Sequence, residues 1–330
     1  MIAPLLAALV LVPVTAIACG AFARAMRHAA IGQHVRRDGP RVHVGKAGTP
    51  IMGGVVILSL WGVALLTLRS TGGVPRAAWA VYASAAAFGA VGWADDLLAL
   101  RRRGTSGLSV LQKLVLCGVV AAGLFFGFRD LFDAAVRVPF TTIAISLSSA
   151  ATALLTIVVF TATTNSMNLT DGQDGLATGV TLILGAALLL AAPEASGLPA
   201  LLPLLGCLGG FLWVNAHPAR LFLGDVGSFA LGGAVAAFAL AEGLAFALPL
   251  FAGVLVLEAL SVITQVGVYR LTGRRLLRMS PMHHHFELPA GPPRAHLLPA
   301  VDLPESKITV RLWIVEALFA ALAIISLRVG

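Results

Sequence analysis

Residues 77–96 read AAWAVYASAAAFGAVGWADD. Eighteen uncharged residues end in two adjacent carboxylates, Asp95 and Asp96. An apolar run of this length approaches the ~20 residues that a helix needs to cross a bilayer. Ionised carboxylates beside hydrocarbon are costly, so the pair calls for a partner or a function. The plainer alternative is a solvated helix end neutralised by Arg101, Arg102 and Arg103.

The composition extends that reading to the whole chain. Of 330 residues, 58% are apolar and 12% charged, against about 25% charged in soluble domains. So little charge cannot cover a soluble body of this size. A soluble enzyme, a disordered chain and a nucleic-acid-binding domain are excluded. Ten stretches suit transmembrane helices: 1–23, 49–68, 77–94, 110–128, 146–164, 176–192, 200–215, 227–241, 244–268 and 308–327. Short links such as RSTGGVPR at 69–76 carry the charges and the Gly/Pro punctuation. The N-terminal run lacks a basic leader and exceeds a signal-peptide core, so it is expected to remain as the first span. Cys19, Cys117 and Cys207 lie far apart inside apolar runs, as buried small hydrophobes. No repeat is present, and one polytopic transmembrane domain over 1–330 is expected.

Ten spans divide the connections into two sets. The links after spans 1, 3, 5, 7 and 9, with their helix ends, hold eighteen of the 23 Lys and Arg residues and all eight His. The positive-inside rule then puts that set in the cytoplasm and both termini outside. The net charge of +8 reports topology, not nucleic-acid binding. Residues 129–143 are expected as an external loop with a short hairpin.

The cytoplasmic links carry the chemistry. In NSMNLTDGQDGLATG (165–179), Asn165, Asn168, Asp171 and Asp174 recur at spacing three. That spacing gives one polar face on a helix, although Gly172 and Gly175 favour a turn. In NAHPARLFLGDVGSFALGG (215–233), Asp225 sits between Gly224 and Gly227, just before a span. Helix starts of this kind favour phosphate. In SPMHHHFE (280–287), His283, His284 and His285 cannot all face one way on a helix or strand. They suit a loop that hydrogen-bonds phosphate better than a zinc site. In HVGKAGTPIMGG (43–54), Lys46 precedes a turn into span 2, without the order of a P-loop. Beyond their end turns the spans are nearly bare of charge, Glu258 and Glu316 excepted, whereas a transporter keeps its site near the bilayer midplane. Acids gathered at one interface suit Mg²⁺, which takes oxygen ligands and bridges phosphates. The residues therefore point to Mg²⁺-dependent phosphoryl transfer at the membrane surface.

At these positions the sequence resembles the bacterial phospho-N-acetylmuramoyl-pentapeptide-transferases, within the polyprenyl-phosphate N-acetylhexosamine-1-phosphate transferase superfamily. KAGTPIMGG, Asp95-Asp96 with TSGLS, NSMNLTDGQDGLATG, LFLGDVGS, EALSVITQVG and SPMHHHFE carry the likeness, from about residue 38 onward. The triple histidine distinguishes this family from relatives that transfer N-acetylglucosamine-1-phosphate. The resemblance implies an all-α integral membrane protein with ten transmembrane helices, a cytoplasmic-side active-site cleft and a homodimer in the bacterial cytoplasmic membrane. It implies transfer from UDP-N-acetylmuramoyl-pentapeptide to undecaprenyl phosphate, giving lipid I and UMP in peptidoglycan synthesis. By the same likeness Asp225 is the Mg²⁺ ligand, and Asp95 and Asp96 are the catalytic aspartates. Asn168, Asp171 and Asn215 belong to the nucleoside-sugar pocket. Gly172, Gln173, Asp174 and Phe222 fall at the uracil, with Lys46 nearby. His283, His284, His285 and Gln265 line the same cleft.

The chain departs from the family pattern at four places. Ile51 replaces a Thr, Ala99 stands where a Lys is usual, Gln173 replaces a Leu, and 289–303 is longer than usual. Arg102 or Arg103 is expected to replace the missing Lys charge. The three prolines at 289, 292 and 293 favour an extended loop. Two routes stay open: direct attack of the lipid phosphate on the β-phosphorus, or a covalent intermediate on an aspartate.

Overall fold

Long apolar stretches fold as helices here because a helix satisfies every backbone group within its own segment, which lipid demands. The computed structural model describes residues 2–29, 46, 48–102, 107–132, 135–287, 295–299 and 301–329. They form α1 (Ile2–His28), α2 (Gly53–Gly72), α3 (Arg76–Arg101), α4 (Val110–Phe132), β1 (Val136–Arg137), β2 (Ala144–Ile145), α5 (Ser149–Thr170), α6 (Leu176–Ala191), α7 (Leu198–Asn215), α8 (Gly224–Ala241), the single turn α9 (Leu248–Phe251), α10 (Gly253–Thr272), a 3₁₀ turn (Met282–His285) and α11 (Glu305–Arg328). Nine of the described helices are long and apolar enough to cross a membrane. The shortfall from ten is α6. Its 16 residues rise about 24 Å, against a hydrocarbon core of roughly 30 Å. Large apolar side chains point outward, among them Leu9, Ile17, Val119, Phe126, Ile263 and Leu318.

α8 forms the centre, with fifteen of its 18 residues buried. α3 and α5 pack along it, and α1 lies along α7. Small residues on α8 let neighbouring backbones come close, the usual device of helices in lipid. At Gly92 a Cβ would lie 2.0 Å from the Asp225 carbonyl oxygen, so α3 touches the start of α8 backbone to backbone. That contact sets Asp95 and Asp96 beside Asp225.

Three expectations are corrected. The span at 244–268 is divided: α9 ends at Ala252 (φ −111°, ψ 43°), and α10 starts at Gly253, where Phe319 occupies the space of a Cβ. Glu316 caps α10 from α11, its Oε2 accepting from Val254 N–H at 2.8 Å. The span at 110–128 runs on to Phe132 through a kink at Phe128. The expected hairpin follows it, pairing Val136 with Ile145. The spacing-three residues are divided too, since α5 carries Asn165 and Asn168 while Asp171 and Asp174 lie in the turn beyond. Arg36, Arg37, Arg41, Arg103, Arg294, His34, His43 and the prolines at 289, 292 and 293 lie outside the described residues. Further along the 289–303 link, Leu297 and Leu298 N–H donate to the Arg275 and Leu276 carbonyls, and Leu303 N–H to that of Phe286.

Candidate active site

The ends of α3, α5 and α7 and the starts of α4 and α8 meet around a cavity of about 1290 Å³. Twelve of the fifteen expected site residues line it: Lys46, Asp95, Asp96, Asn168, Asp171, Gly172, Gln173, Asp174, Asn215, Phe222, Asp225 and His284. Gln265, His283 and His285 do not. Ile51 and Ala99, two of the departures, are also on the wall.

At one end the acids are held by each other's elements. Asp96 accepts from the N–H groups of Asp225 at 3.2 Å and Val226 at 3.1 Å. It thereby caps α8 from α3, satisfying two donors that a helix start leaves open. Asp95 Oδ1 accepts from Leu108 N–H at 2.6 Å. Lys113 Nζ lies 3.1 Å from Asp95 Oδ2 and 2.6 Å from Asp225 Oδ2, joining the two carboxylates. Asn168 Nδ2 donates to Asp225 Oδ1 at 2.8 Å and to Ser228 Oγ at 3.1 Å. Lys113 was not singled out from the sequence. It supplies from α4 the charge expected of Arg102 or Arg103, while Arg102 instead donates to the Gly107 carbonyl at 2.8 Å. The signal was available: Lys113 is the only charge in its run until Arg129.

The turn after α5 forms the opposite wall. The Asp171 carboxylate accepts no hydrogen bond from another described residue. Burial first, then the charges of Asp225, Asp96 and Asp174, push it well above the usual carboxylate range. Gly172 has no side chain because His283 Nε2 would lie 2.2 Å from a Cβ there. Gln173 Nε2 donates to Glu287 Oε1 at 2.7 Å. Lys46 Nζ donates to Asp174 Oδ1 at 2.7 Å and stands 5.8 Å from the Phe222 ring centre. Asn215 is spent on the fold, accepting from Thr178 at 2.9 Å and donating to the Leu221 carbonyl at 3.0 Å. Glu305 and His217, also not singled out, border Asp174.

The three histidines separate. His284 lines the cavity, and its Nδ1–H donates to Glu287 Oε2 at 2.9 Å. His283 is fully buried behind Gly172, with its N–H and Nδ1 each 3.3 Å from Glu258 Oε2. His285 Nδ1 accepts from Arg278 N–H at 3.0 Å, and its Nε2–H donates to the Pro299 carbonyl at 3.2 Å. Burial pushes the His285 imidazole below its usual range, as do the charges of His296 and Arg278. Gln265 accepts from the N–H groups of Leu276 and Leu277 at 3.0 and 2.8 Å, bracing that backbone. His285 and Gln265 thus brace backbone beside the cavity, and the buried His283 ring lies against Gly172 of its wall.

Residues 78–243 match the pattern of glycosyl transferase family 4, which spans α3 to α8 and every cavity acid named above. Two curated relatives carry the name phospho-N-acetylmuramoyl-pentapeptide-transferase. The protein of Shouchella clausii is 38% identical over 305 residues, covering 91% of this chain and 90% of its own. That of Thermodesulfovibrio yellowstonii is 35% identical over 328 residues, covering 92% and 87%.

Proposed function

The chain belongs to glycosyl transferase family 4 alongside the phospho-N-acetylmuramoyl-pentapeptide-transferases, and from that premise we propose that it moves phospho-N-acetylmuramoyl-pentapeptide from its UDP donor to undecaprenyl phosphate. The observation that carries the proposal is the convergence of Asp95, Asp171 and Asp225 with Lys113 and Lys46 on one cavity between apolar helices. A water-soluble diphosphate and a lipid phosphate can meet only at such a boundary. The eighteen cations on the matching side of the chain support a cytoplasmic cavity and outward termini, in a bacterial cytoplasmic membrane. A homodimer stays part of the proposal.

Mg²⁺ fits the donor set. Asp95, Asp171 and Asp225 bring carboxylate oxygens to the acidic end, where Lys113 and Asn168 now bond the two oxygens of Asp225, and Mg²⁺ takes one or two carboxylates together with waters and substrate phosphates. Asp225 would hold it, with Asp171 as the second carboxylate, and it would neutralise charge on the diphosphate. The chain's own groups do the rest. An oxygen of the lipid phosphate attacks the β-phosphorus, the bond from that phosphorus to the UMP oxygen breaks, and UMP leaves. That nucleophile is largely dianionic near neutral pH, its second pKa being about 6, so alignment and charge support matter more than a base. Lys113, bonded to both, offsets the repulsion between Asp95 and Asp225. Asp95, bonded to Leu108 N–H and Lys113, and Asp96, capping α8, both stand on the wall that the incoming phosphate meets. Lys46 and Phe222 offer a cation and a ring to the donor end. The test is incubation of purified protein with undecaprenyl phosphate, Mg²⁺ and alternative UDP-sugars. Lipid I formation from the muramoyl-pentapeptide donor is expected. A folded protein that forms none refutes the reading.

A further inference from the structure

The first residue of α11 reaches the cavity wall from the far end of the chain. The Glu305 side chain is only 1% exposed. Its Oε1 accepts from Lys46 Nζ at 2.5 Å and from Asp174 N–H at 2.7 Å. Lys46 also bonds Asp174 Oδ1 at 2.7 Å, so one ammonium joins two buried carboxylates. Asp174 Oδ2 accepts from Ala219 N–H at 3.0 Å and lies 3.0 Å from His217 Nδ1. Glu305 Oε2 accepts no hydrogen bond and faces the same imidazole nitrogen at 3.6 Å. Two carboxylates stand side by side, with a cation along one edge and an imidazole along the other. Buried carboxylates persist only when partnered, and here each partner belongs to a different segment: 46, the 171–175 turn, the 216–219 link and α11.

We propose that Glu305 is a positioning residue for recognition of the nucleotide sugar, acting through Lys46 and Asp174, with His217 closing the second edge. The inference rests on the transferase reading above. Lys46 sits on a flexible stem, and Glu305 with Asp174 fixes its ammonium on the cavity wall. The same Oε1 receives the Asp174 N–H and so pins the turn that carries Gly172 and Gln173. Both effects bear on binding of the donor. Neither reaches the Asp95, Asp225 and Lys113 end, where the bond breaks. The kinetic consequence therefore falls on the donor KM and spares kcat. Single ligand atoms of Asp174, His217 and Glu305 also lie within 4.8 Å of one another, a spacing that suits a metal. Lys46 already supplies the positive charge between the carboxylates, so the ammonium is the cation of this cluster.

Glu305→Gln in the detergent-solubilised full chain tests this, because it keeps the shape and removes the charge. The donor KM should rise about tenfold, the worth of one charge-assisted hydrogen bond. Turnover should stay within about twofold, and the KM for undecaprenyl phosphate should not move. His217→Gln, at an exposed position that does not threaten folding, should raise the donor KM about threefold with kcat unchanged. It decides the matter if Glu305→Gln does not fold. A wild type that forms no lipid-linked product overturns the transferase reading and this inference with it. A wild type that turns over, while the folded variants keep its donor KM or lose kcat alone, overturns this inference only. So does Co²⁺ added to wild type, if visible ligand-field bands appear and vanish in His217→Gln.

Discussion

Asp95, Asp96, Asp171 and Asp225 come from three separate stretches of sequence, yet all four line the cavity. His283, His284 and His285 are adjacent, yet only His284 does. The acids sit at helix ends that the close α3–α8 contact draws together, so distant residues share one space. The histidines sit on a 3₁₀ turn, where successive side chains point about 120° apart. One faces the cavity and two turn into the protein. Convergence of elements builds this site, and adjacency in sequence builds its support.

The contrast can be broken by substitution. Asp225→Asn should lower kcat by about 10³-fold, as removal of a charge-stabilising group does, with the melting temperature kept; retained Mg²⁺-dependent turnover would remove Asp225 from the chemistry. Lys113→Met should cost about 10²-fold, because it leaves Asp95 and Asp225 facing each other unneutralised. Steady-state rates beside a thermal melt separate that loss from unfolding. His284→Gln should lower kcat/KM about tenfold with the fold intact, whereas His285→Ala should lower the melting temperature by roughly 2–4 °C and leave the rate per folded molecule alone. Equal kinetic losses at both positions would erase the distinction between them.

Acidity sharpens the same distinction. The folded His285 imidazole is held below its ordinary range by burial, so the unfolded chain takes up this proton first, near pH 6.5 or so. Its contribution to stability is complete above that pH and is lost as the pH falls through the folded value. Melting temperatures of wild type and His285→Asn, followed from about pH 8 to about pH 5, should converge on acidification. The smallest effect is expected at Gln173→Leu, about twofold on kcat/KM, since it removes one neutral-to-charged bond to Glu287 behind His284.

Much of the fold was legible because lipid enforces it. Uncharged runs predict spans, and all ten appear as helices. Their ends differ where a single contact decides: Glu316 caps Val254 so that α10 starts at Gly253, inside the expected ninth span, and Phe319 takes the space beside Gly253. The short α6 was not distinguishable from its neighbours, since length in an apolar run is ambiguous at about 16 residues. The acids of the site were legible because charge is scarce. Lys113, Glu305, His217 and Glu287 were not, because each acts on a group far away in sequence, from 43 residues for His217 and Asp174 to 259 for Glu305 and Lys46, or on a neighbour's orientation. Gln265 and His285 show the converse, since buried polar side chains that brace backbone look in sequence like those that meet a ligand.

Asp96 bears on how mutant phenotypes can be interpreted. Its two oxygens serve the second and third N–H groups of α8, and one of those belongs to Asp225 itself. A genetic screen will score Asp96 and Asp225 alike, although loss of Asp96 also removes the acceptor of two N–H groups at the start of α8. An inactive Asp96 variant thus reports on the seating of α8 as well as on any part Asp96 takes in the reaction. It does not by itself separate the two, and dead alleles at the two adjacent aspartates should not be pooled as one phenotype.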